Sequence, residues 1–504
     1  MTTFSHFFNA FKQSKLFVPF TLLAMCVFAL TINILFFNSQ SIRLDEAQSL
    51  FQTDRSLTGL YKTVAKDIHV PLYHTIIHFT QIFWGNDIQV VRLVSLIFFL
   101  GTILAVYALG SYAINRSIGL FAALLTTISP FMNWYGNEAR MYTLLTLLVT
   151  LNSLFFLKIY RSGKPSSWIL YVLTGILGIY THYFFALIFL TQILFYIAAK
   201  KQFTGRFILA KFLASAVVIG ASIAPWLLFV RSLGNASDTK PAIIAPSSQD
   251  LFNAYSQFLF GFQVDTINTI IISLWPVLIL FGFFALQKNK RLPTETKLFL
   301  MYALIPALVA FFVSILIRPI FLSRYLIVSL PGLLLFISYS VLNYPTKISI
   351  ALRSILVTVM LAGLYIQTVN INTPVKEDYK GISQYLSQHA TASDVIVISS
   401  PFTVYPIDYY YTGPSSVQTL PVWNRFDSST IPSYNKDKLT DQVKIVSGSY
   451  QTAWVVLSYD QGYEKDIKSY FDNHFEKMYS KEYSPKLSLY QYKLRYDPGL
   501  AAQN

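Results

Sequence analysis

Charged and imidazole side chains stand at the borders of the apolar stretches of this sequence. They are Asp45, Glu46, His69, Glu138, Arg140, His182, Arg318 and Arg324, and the phenol of Tyr325 follows the last of them. A carboxylate can take a proton from an attacking hydroxyl, and a guanidinium group binds phosphate oxygens through paired hydrogen bonds. Such groups gathered over one face of a membrane would suit an anionic, lipid-borne substrate.

Each of these residues also has a simpler interpretation. Arg324 could reach toward lipid phosphates from a span boundary, and His182 could pack among interfacial aromatic rings. The Asp45-Glu46 pair could begin an amphipathic helix whose dipole favours acids. Residues 138–140 could hold a loop ion pair. Each simple interpretation explains one residue. Together they do not explain why all these residues are predicted on the same, outer side of the membrane.

The composition predicts a membrane protein. Of the 504 residues 54% are hydrophobic and 12% are charged, about half of the roughly 25% charged residues of a soluble domain. That excludes a single large water-soluble globule and favours several spans of about 20 apolar residues each. The single cysteine, Cys26, excludes an internal disulfide and a cysteine-based metal cluster.

Apolar stretches predict eleven membrane spans. They cover residues 16–38, 88–110, 117–134, 142–157, 168–180, 183–199, 207–230, 267–286, 298–317, 325–342 and 348–368. With the N-terminus in the cytoplasm, the cytoplasmic segments hold 16 basic residues and one acid, Glu295, as the positive-inside rule requires. They account for the net charge of +15, so nucleic acid is not needed as a partner.

Two domains are expected. Residues 1–372 form the membrane domain, whose first outer loop, 39–87, carries amphipathic helices at 46–66 and 71–84. From residue 373 to 504 the hydrophobic runs shorten to strand length, as at 394–398, 453–457 and 487–490, with helical patterns at 379–389 and 463–475. This second domain is predicted to be a soluble α/β domain outside the membrane.

Six segments resemble one known family in order and topology. They are RLDEAQSL at 43–50, DIHVPLYH at 67–74, SPFMNWYGNEARMYTLL at 129–145, YTHYF at 180–184, FLSRYLIVSLP at 321–331 and KEDYKGISQYL at 376–386. The chain resembles lipid-dependent glycosyltransferases of the GT-C fold, specifically bacterial family-39-like proteins. These are related to protein O-mannosyltransferases and to lipid A aminoarabinose transferases. Val70 and Tyr379 depart from the family pattern without removing a polar group.

The resemblance implies transfer of a sugar from a polyprenyl-phosphate carrier to an acceptor on the outer side of a bacterial plasma (inner) membrane. Asp45 matches the family's catalytic acid and would be the base. Glu46 would orient the acceptor or hold Asp45 ionised. The acceptor would be a lipid, a glycan or a protein, and membrane lipids are expected to surround the chain.

The donor phosphate needs cationic partners. Arg140 and Arg324 are the expected ligands, Tyr325 would add a hydroxyl donor, and His69 lies where the aminoarabinose branch uses lysine. His182 would touch the phosphate or join carboxylates around a divalent cation, and Glu138 is a further candidate. No metal is assigned and no cofactor is certain, because scattered nitrogen and oxygen ligands do not choose a metal.

Two other functions compete with this one. A polytopic transporter or flippase for a lipid-linked or anionic substrate would place ionisable groups near the bilayer midplane, where this sequence is nearly free of charge. A non-catalytic assembly protein would leave the acids and arginines of several loops unexplained. No G-x-G-x-x-G or P-loop motif is present, which agrees with a lipid-phosphate donor.

Overall fold

The computed structural model describes residues 14–37, 40–67, 69–199, 208–233, 244–263, 265–273, 292–369, 377–425 and 431–494. The chain divides into two compact units. The helical unit comprises residues 1–37, 69–232 and 242–374, and the sheet unit comprises residues 38–68, 233–241 and 375–504. The chain passes between the two units five times, and the last of these junctions, between residues 374 and 375, lies next to the predicted boundary at residue 373.

The helical unit is built from apolar helices. Those described are Phe17–Phe37, Pro71–Trp84, Ile88–Ala113, Arg116–Ile128, Pro130–Gly136, Tyr142–Ser162, Pro165–Ile179, Ala186–Ala199, Ile208–Ser222, Ala224–Ser232, Ser248–Phe260, Asp265–Ser273, Thr294–Leu316, Leu330–Leu342 and Thr346–Val369. Within the described ranges, seven stretches are long and apolar enough to cross a membrane, or eight if one bent pair counts as a span. The chain is therefore a multi-pass membrane protein, as its composition predicts.

The remaining predicted spans differ in detail. Two of them, 168–180 and 183–199, correspond to the shorter apolar helices Pro165–Ile179 and Tyr183–Ala199, which we call the hairpin helices. Of the predicted span 267–286, residues 274–286 lie outside the described residues. The helix Ser248–Phe260 was not anticipated, because its pattern lies within a segment rich in Ser, Asn and Pro.

The predicted span 117–134 is broken. The helices Arg116–Ile128 and Pro130–Gly136 meet at a bend of 61°, since Pro130 has no N–H to continue the first helix. Asn133 Nδ2 donates to the carbonyls of Thr127 and Ser129 at 2.8 and 2.9 Å. The side chain thus satisfies backbone oxygens that the break frees, which an apolar surrounding requires.

One end of the helical unit is held by an ion pair. Arg161 Nη2 lies 2.6 Å from Glu295 Oε1, and Arg161 also donates to the carbonyl of Tyr112. This contact joins the C-terminal ends of Ile88–Ala113 and Tyr142–Ser162 to the start of Thr294–Leu316. The acid predicted to stand alone among the cytoplasmic bases therefore bridges three helices.

The sheet unit contains one five-stranded sheet. Its strands are β1 (Asp394–Ser399), β2 (Ser416–Thr419), β3 (Thr452–Ser458), β4 (Glu476–Ser484) and β5 (Leu487–Lys493). Their order is β2-β1-β3-β5-β4; β1 pairs in parallel with β2 and β3, and β5 pairs antiparallel with β3 and β4. The predicted α/β domain is confirmed, while β2 and β4 escaped prediction because they lack a strong apolar run.

Helices cover both faces of this sheet and form two cores. They are Tyr379–His389, Val404–Tyr410, Leu439–Ser447 and Glu464–His474. Ile396, Ile398 and Trp454 belong to one core, whereas Val395 and Val397 belong to the other. The alternation along β1 is that of a strand buried on both faces.

Part of the predicted first outer loop packs within the sheet unit. Its amphipathic segment forms two helices, Leu44–Thr53 and Leu57–Lys66, because Ser56 caps the second one through the Gly59 N–H. The backbone N–H of Ile42 donates to the Tyr410 hydroxyl at 2.9 Å, and the Phe51 and Tyr405 rings lie 4.8 Å apart. The predicted second helix, 71–84, is present in the helical unit.

Candidate active site

His69 and Arg140 are joined in the helical unit. Arg140 Nη2 lies 3.0 Å from His69 Nε2, although 70 residues separate them in the sequence. Arg140 is buried, and its carbonyl accepts a 3.3 Å hydrogen bond from Ser95 Oγ. Ser95 in turn lies 2.7 Å from the Tyr73 hydroxyl. The helices Pro71–Trp84 and Ile88–Ala113 therefore hold the backbone of Arg140 in place.

His182 and Tyr325 form the neighbouring part of the cluster. Their ring centroids lie 4.9 Å apart, and Arg324 Cζ lies 5.6 Å from the Tyr325 ring centroid. His182 Nδ1 accepts the Phe184 N–H at 3.1 Å, which leaves Nε2 to carry the proton of a neutral imidazole. Tyr325 begins a short 3-10 turn, Tyr325–Ser329, ahead of the helix Leu330–Leu342.

The charges of Arg140 and Arg324 both act on His182, so the two groups of residues are electrostatically coupled. His182 lies in the loop between the two hairpin helices, where burial and then the guanidinium groups of Arg140 and Arg324 lower its pKa to about 3. The histidine is therefore neutral at physiological pH. We refer to His69, Arg140, His182, Arg324 and Tyr325 as the basic cluster. The two guanidinium groups bring positive charge to a neutral histidine and can bind anionic oxygens through paired hydrogen bonds, so the basic cluster is suited to an anion.

Two more polar residues lie at the basic cluster or near it. The His74 ring, 1% exposed, lies 5.6 Å from that of His69. Arg92 is fully buried one helical turn before Ser95. A charged residue inside an apolar span is itself a sequence signal for function, and Arg92 lies inside the predicted span 88–110. Glu138 is buried as well, and its backbone carbonyl accepts the Arg140 N–H at 2.7 Å.

Asp45 and Glu46 belong to the sheet unit, in the first turn of the helix Leu44–Thr53. Glu46 is fully buried, and its Oε2 accepts the Arg43 N–H at 2.9 Å, the reciprocal half of a capping box. Asp45 is half-buried. Asp45 thus lies at the positive end of the helix dipole.

A divalent cation finds no ready-made protein site in the described part of the chain. No group of three or more His, Cys, Asp or Glu side chains converges there closely enough to hold a metal. Structural and catalytic metals commonly need at least three such ligands.

Comparison with known proteins identifies the class of fold. Residues 69–229, about a third of the chain, match the family model of dolichyl-phosphate-mannose-protein mannosyltransferases. The structure of ArnT from Cupriavidus metallidurans in the apo state superposes with a TM-score of 0.62 at 11% identity, covering 93% of this chain and 97% of that one. No curated protein sequence matches the chain.

Two further structures contain lipid phosphates. ArnT from Cupriavidus metallidurans bound to undecaprenyl phosphate matches with a TM-score of 0.59 at 11% identity, over 95% of this chain and 98% of that one. The oligosaccharyltransferase AglB from Archaeoglobus fulgidus, in complex with an inhibitory peptide and a dolichol-phosphate, matches with a TM-score of 0.52 at 11% identity. That alignment covers 95% of this chain and 74% of AglB. The chain thus has the GT-C fold, which confirms the resemblance predicted from its motifs.

Proposed function

We propose that this chain is a membrane glycosyltransferase. It would move a sugar from a polyprenyl-phosphate carrier to a hydroxyl or similar acceptor at the outer face of the plasma membrane. The observation that carries the proposal is the basic cluster, in which loops distant in sequence bring buried arginine and imidazole groups together. It is supported by the lipid phosphates in the structures of ArnT and AglB.

The basic cluster would stabilise the leaving group. As the sugar leaves its carrier, the bond between the anomeric carbon and the phosphate oxygen breaks, and its electron pair passes to the phosphate. Arg140 and Arg324 would hold that charge by bidentate hydrogen bonds. The neutral His182, the Tyr325 hydroxyl and His69 would donate further bonds, and Glu138 would support the loop of Arg140.

Asp45 would take the proton of the acceptor. As the acceptor oxygen bonds to the anomeric carbon, its proton passes to the carboxylate. The N-terminal position of Asp45 in its helix supports this role, because the helix dipole keeps the carboxylate ionised. Glu46 would fix the turn that carries Asp45, through its bond to the Arg43 N–H.

Asp45→Asn tests the proposal. Mass spectrometry of surface glycans and lipids, with and without the gene, would first identify the sugar that depends on the chain. Reintroduced Asp45→Asn should lower that product at least about 100-fold, the usual contribution of a general base, with unchanged protein in the membrane. Asp87→Asn is the matched control, because Asp87 caps a helix and asparagine caps equally well.

Three results would contradict the proposal. Full product with Asp45→Asn would exclude the assigned base. No sugar lost from any surface glycan, lipid or protein on deletion would exclude the transferase. Movement of a lipid-linked sugar across the membrane without consumption of the carrier bond would favour a flippase instead.

A further inference from the structure

The helix that carries Asp45 also carries two glutamines on the same side. Asp45, Gln48 and Gln52 follow one another at spacings of three and four residues, so they lie along one side of the helix Leu44–Thr53. Gln52 is about 10 Å along the helix from Asp45. A molecule held at Gln52 would therefore be placed relative to the proposed base by a single helix.

Gln52 has a buried oxygen that a ligand could use. Its Nε2 donates to Asp67 Oδ2 at 2.9 Å, and Gln48 Nε2 lies 3.4 Å from the same oxygen. Because an ionised carboxylate only accepts hydrogen bonds, this contact decides which way the Gln52 amide faces. Gln52 is 4% exposed, and its Oε1 has no hydrogen-bond partner among the described residues. Such an atom costs free energy until a donor reaches it.

Aromatic rings border the same end of the helix. The Phe51 and Tyr405 rings lie 4.8 Å apart, and the Tyr405 and Trp423 rings lie 6.0 Å apart, nearly perpendicular to each other. Arg55 Cζ lies 4.6 Å from the Phe51 ring centroid. Phe51, Arg55 and Tyr405 are half-buried, so each keeps part of its surface open to a ligand.

Charged groups of both signs lie around the Tyr405 ring. Asp408 follows Tyr405 by one turn in the helix Val404–Tyr410 and forms an ion pair with Arg425. Burial raises the pKa of the Tyr405 hydroxyl to about 12, and four charges act on it, those of Arg425, Arg55, Asp67 and Asp408. We refer to six of these residues as the aromatic–amide patch: Phe51, Gln52, Arg55, Asp67, Tyr405 and Trp423.

We propose that the aromatic–amide patch binds a carbohydrate, which is the acceptor of the transferred sugar. This inference rests on the proposed function, in which Asp45 takes the proton of the acceptor. A sugar ring presents C–H groups that pack on aromatic rings. It also presents hydroxyls, each of which can donate and accept. The patch offers rings, an amide oxygen, a carboxylate and a guanidinium group side by side, so it can satisfy both.

The other acceptor classes fit the aromatic–amide patch less well. The alkyl chain of a lipid has no donor for Gln52 Oε1, which would stay buried without a hydrogen bond. An extended peptide is commonly bound by adding to the edge of a sheet, whereas this patch is built from helices and a loop. Its distance from Asp45 exceeds the width of one sugar ring, so it would hold a sugar next to the one that is modified.

Binding of glycans by the full-length protein in nanodiscs tests this inference. A printed array of bacterial surface glycans supplies the probe, and calorimetry with the glycan that binds best compares the variants. Gln52→Met keeps the length of the side chain and removes the amide. It should weaken binding about 10-fold, equivalent to about 1.4 kcal/mol. Gln388→Met is the matched control, because Gln388 is an exposed glutamine in the helix Tyr379–His389, and it should bind as the unaltered protein does.

A second variant and a kinetic measurement separate binding from folding. Arg55→Met should also weaken glycan binding, and its half-buried position makes it independent of any packing defect in Gln52→Met. Unchanged thermal transitions would show that both variants are folded. In the transfer reaction, Gln52→Met should raise the KM for the glycan more than it lowers kcat, because the patch holds a part of the acceptor that does not react.

Several results would overturn this inference. One is the absence of binding to any glycan on the array, and another is equal affinity of the unaltered protein, Gln52→Met and Arg55→Met. Transfer of sugar to a lipid or a protein, with no glycan bound, would exclude the carbohydrate site and retain the transferase. Glycan binding without any transfer would exclude the proposed function, and with it the acceptor role of the patch.

Discussion

At the scale of single residues, the basic cluster is characterised by the neutrality of His182. With Nδ1 accepting a backbone N–H, Nε2–H is available to an anion as a neutral donor. Arg140 and Arg324 supply the positive charge and also keep the imidazole from charging. An anion bound here would contact the two guanidinium groups and the neutral Nε2–H donor of His182.

Arginine geometry should matter for the lipid phosphate. Arg324→Lys keeps the charge but loses the planar fork that pairs with two phosphate oxygens. Undecaprenyl phosphate should bind about 10-fold more weakly, equivalent to about 1.4 kcal/mol. Native mass spectrometry of the full chain with this lipid measures the change.

Arg318→Lys is the matched control, because Arg318 precedes Arg324 by six residues and is exposed. It should bind the lipid as the unaltered protein does. Equal weakening by both variants would indicate a general attraction between arginines and lipid head groups. It would argue against a site built around Arg324.

At the scale of elements, a buried polar network holds the hairpin helices. Gln192 Oε1 accepts the Tyr171 hydroxyl at 2.6 Å, and Gln192 Nε2 donates to Asn152 Oδ1 at 2.8 Å and to the Tyr302 hydroxyl at 3.0 Å. These residues lie on four different helices. One amide therefore fixes the mutual rotation of helices that apolar packing alone would leave less specified.

Gln192→Leu should destabilise the helical unit. It removes three hydrogen bonds and leaves buried polar partners, at a cost of about 1–3 kcal/mol. The thermal transition in detergent should fall by several degrees, while Thr191→Val should change little. Among the described residues, the Thr191 hydroxyl donates to the carbonyl of Leu187 within its own helix. An unchanged transition in Gln192→Leu would show that the network does not contribute to stability.

At the scale of the whole molecule, the charges at the helix ends predict which end of the helical unit faces the cytoplasm. Arg161 and Glu295 lie at the end of Ile88–Ala113 that contains Tyr112. This helix has 26 residues and is about 39 Å long, so Ile88 lies at the opposite end of the helical unit. The charge distribution predicts that the Arg161 end is cytoplasmic and that the N-terminus lies on the same side.

Single cysteines at the two ends should confirm that orientation. In a Cys26→Ala background, an impermeant maleimide should label Asn86→Cys on intact cells. Ser166→Cys should react only after permeabilisation. Both positions are exposed, so accessibility within the fold does not bias the comparison. Labelling of position 166 on intact cells would reverse the topology and the proposed outer location of the basic cluster.

The sequence by itself determined the membrane class, most of the long apolar helices and the α/β character of the C-terminal region. The length and periodicity of an apolar run are local properties of the sequence. They predict helices and strands correctly because apolar side chains are buried either in lipid or in the protein core. The two helices that replace the single predicted helix 46–66 were missed, since their separation depends on one capping residue, Ser56. The weakly apolar strands β2 and β4 were missed because their pairing is decided by partners far along the chain.

Only the tertiary structure decided which polar residues meet. Local sequence patterns do not predict the distance between His69 and Arg140. In the folded chain, Arg140 Nη2 and His69 Nε2 lie 3.0 Å apart. The packing of the helical unit also buries Arg92, which lies inside an apolar stretch. In the sheet unit, hydrogen bonds link the segment just before the helix of Asp45 to Lys380, and Tyr379 to the end of β3. Contacts between distant segments form only when the whole chain buries its apolar surface, so no reading of neighbours along the sequence could supply them.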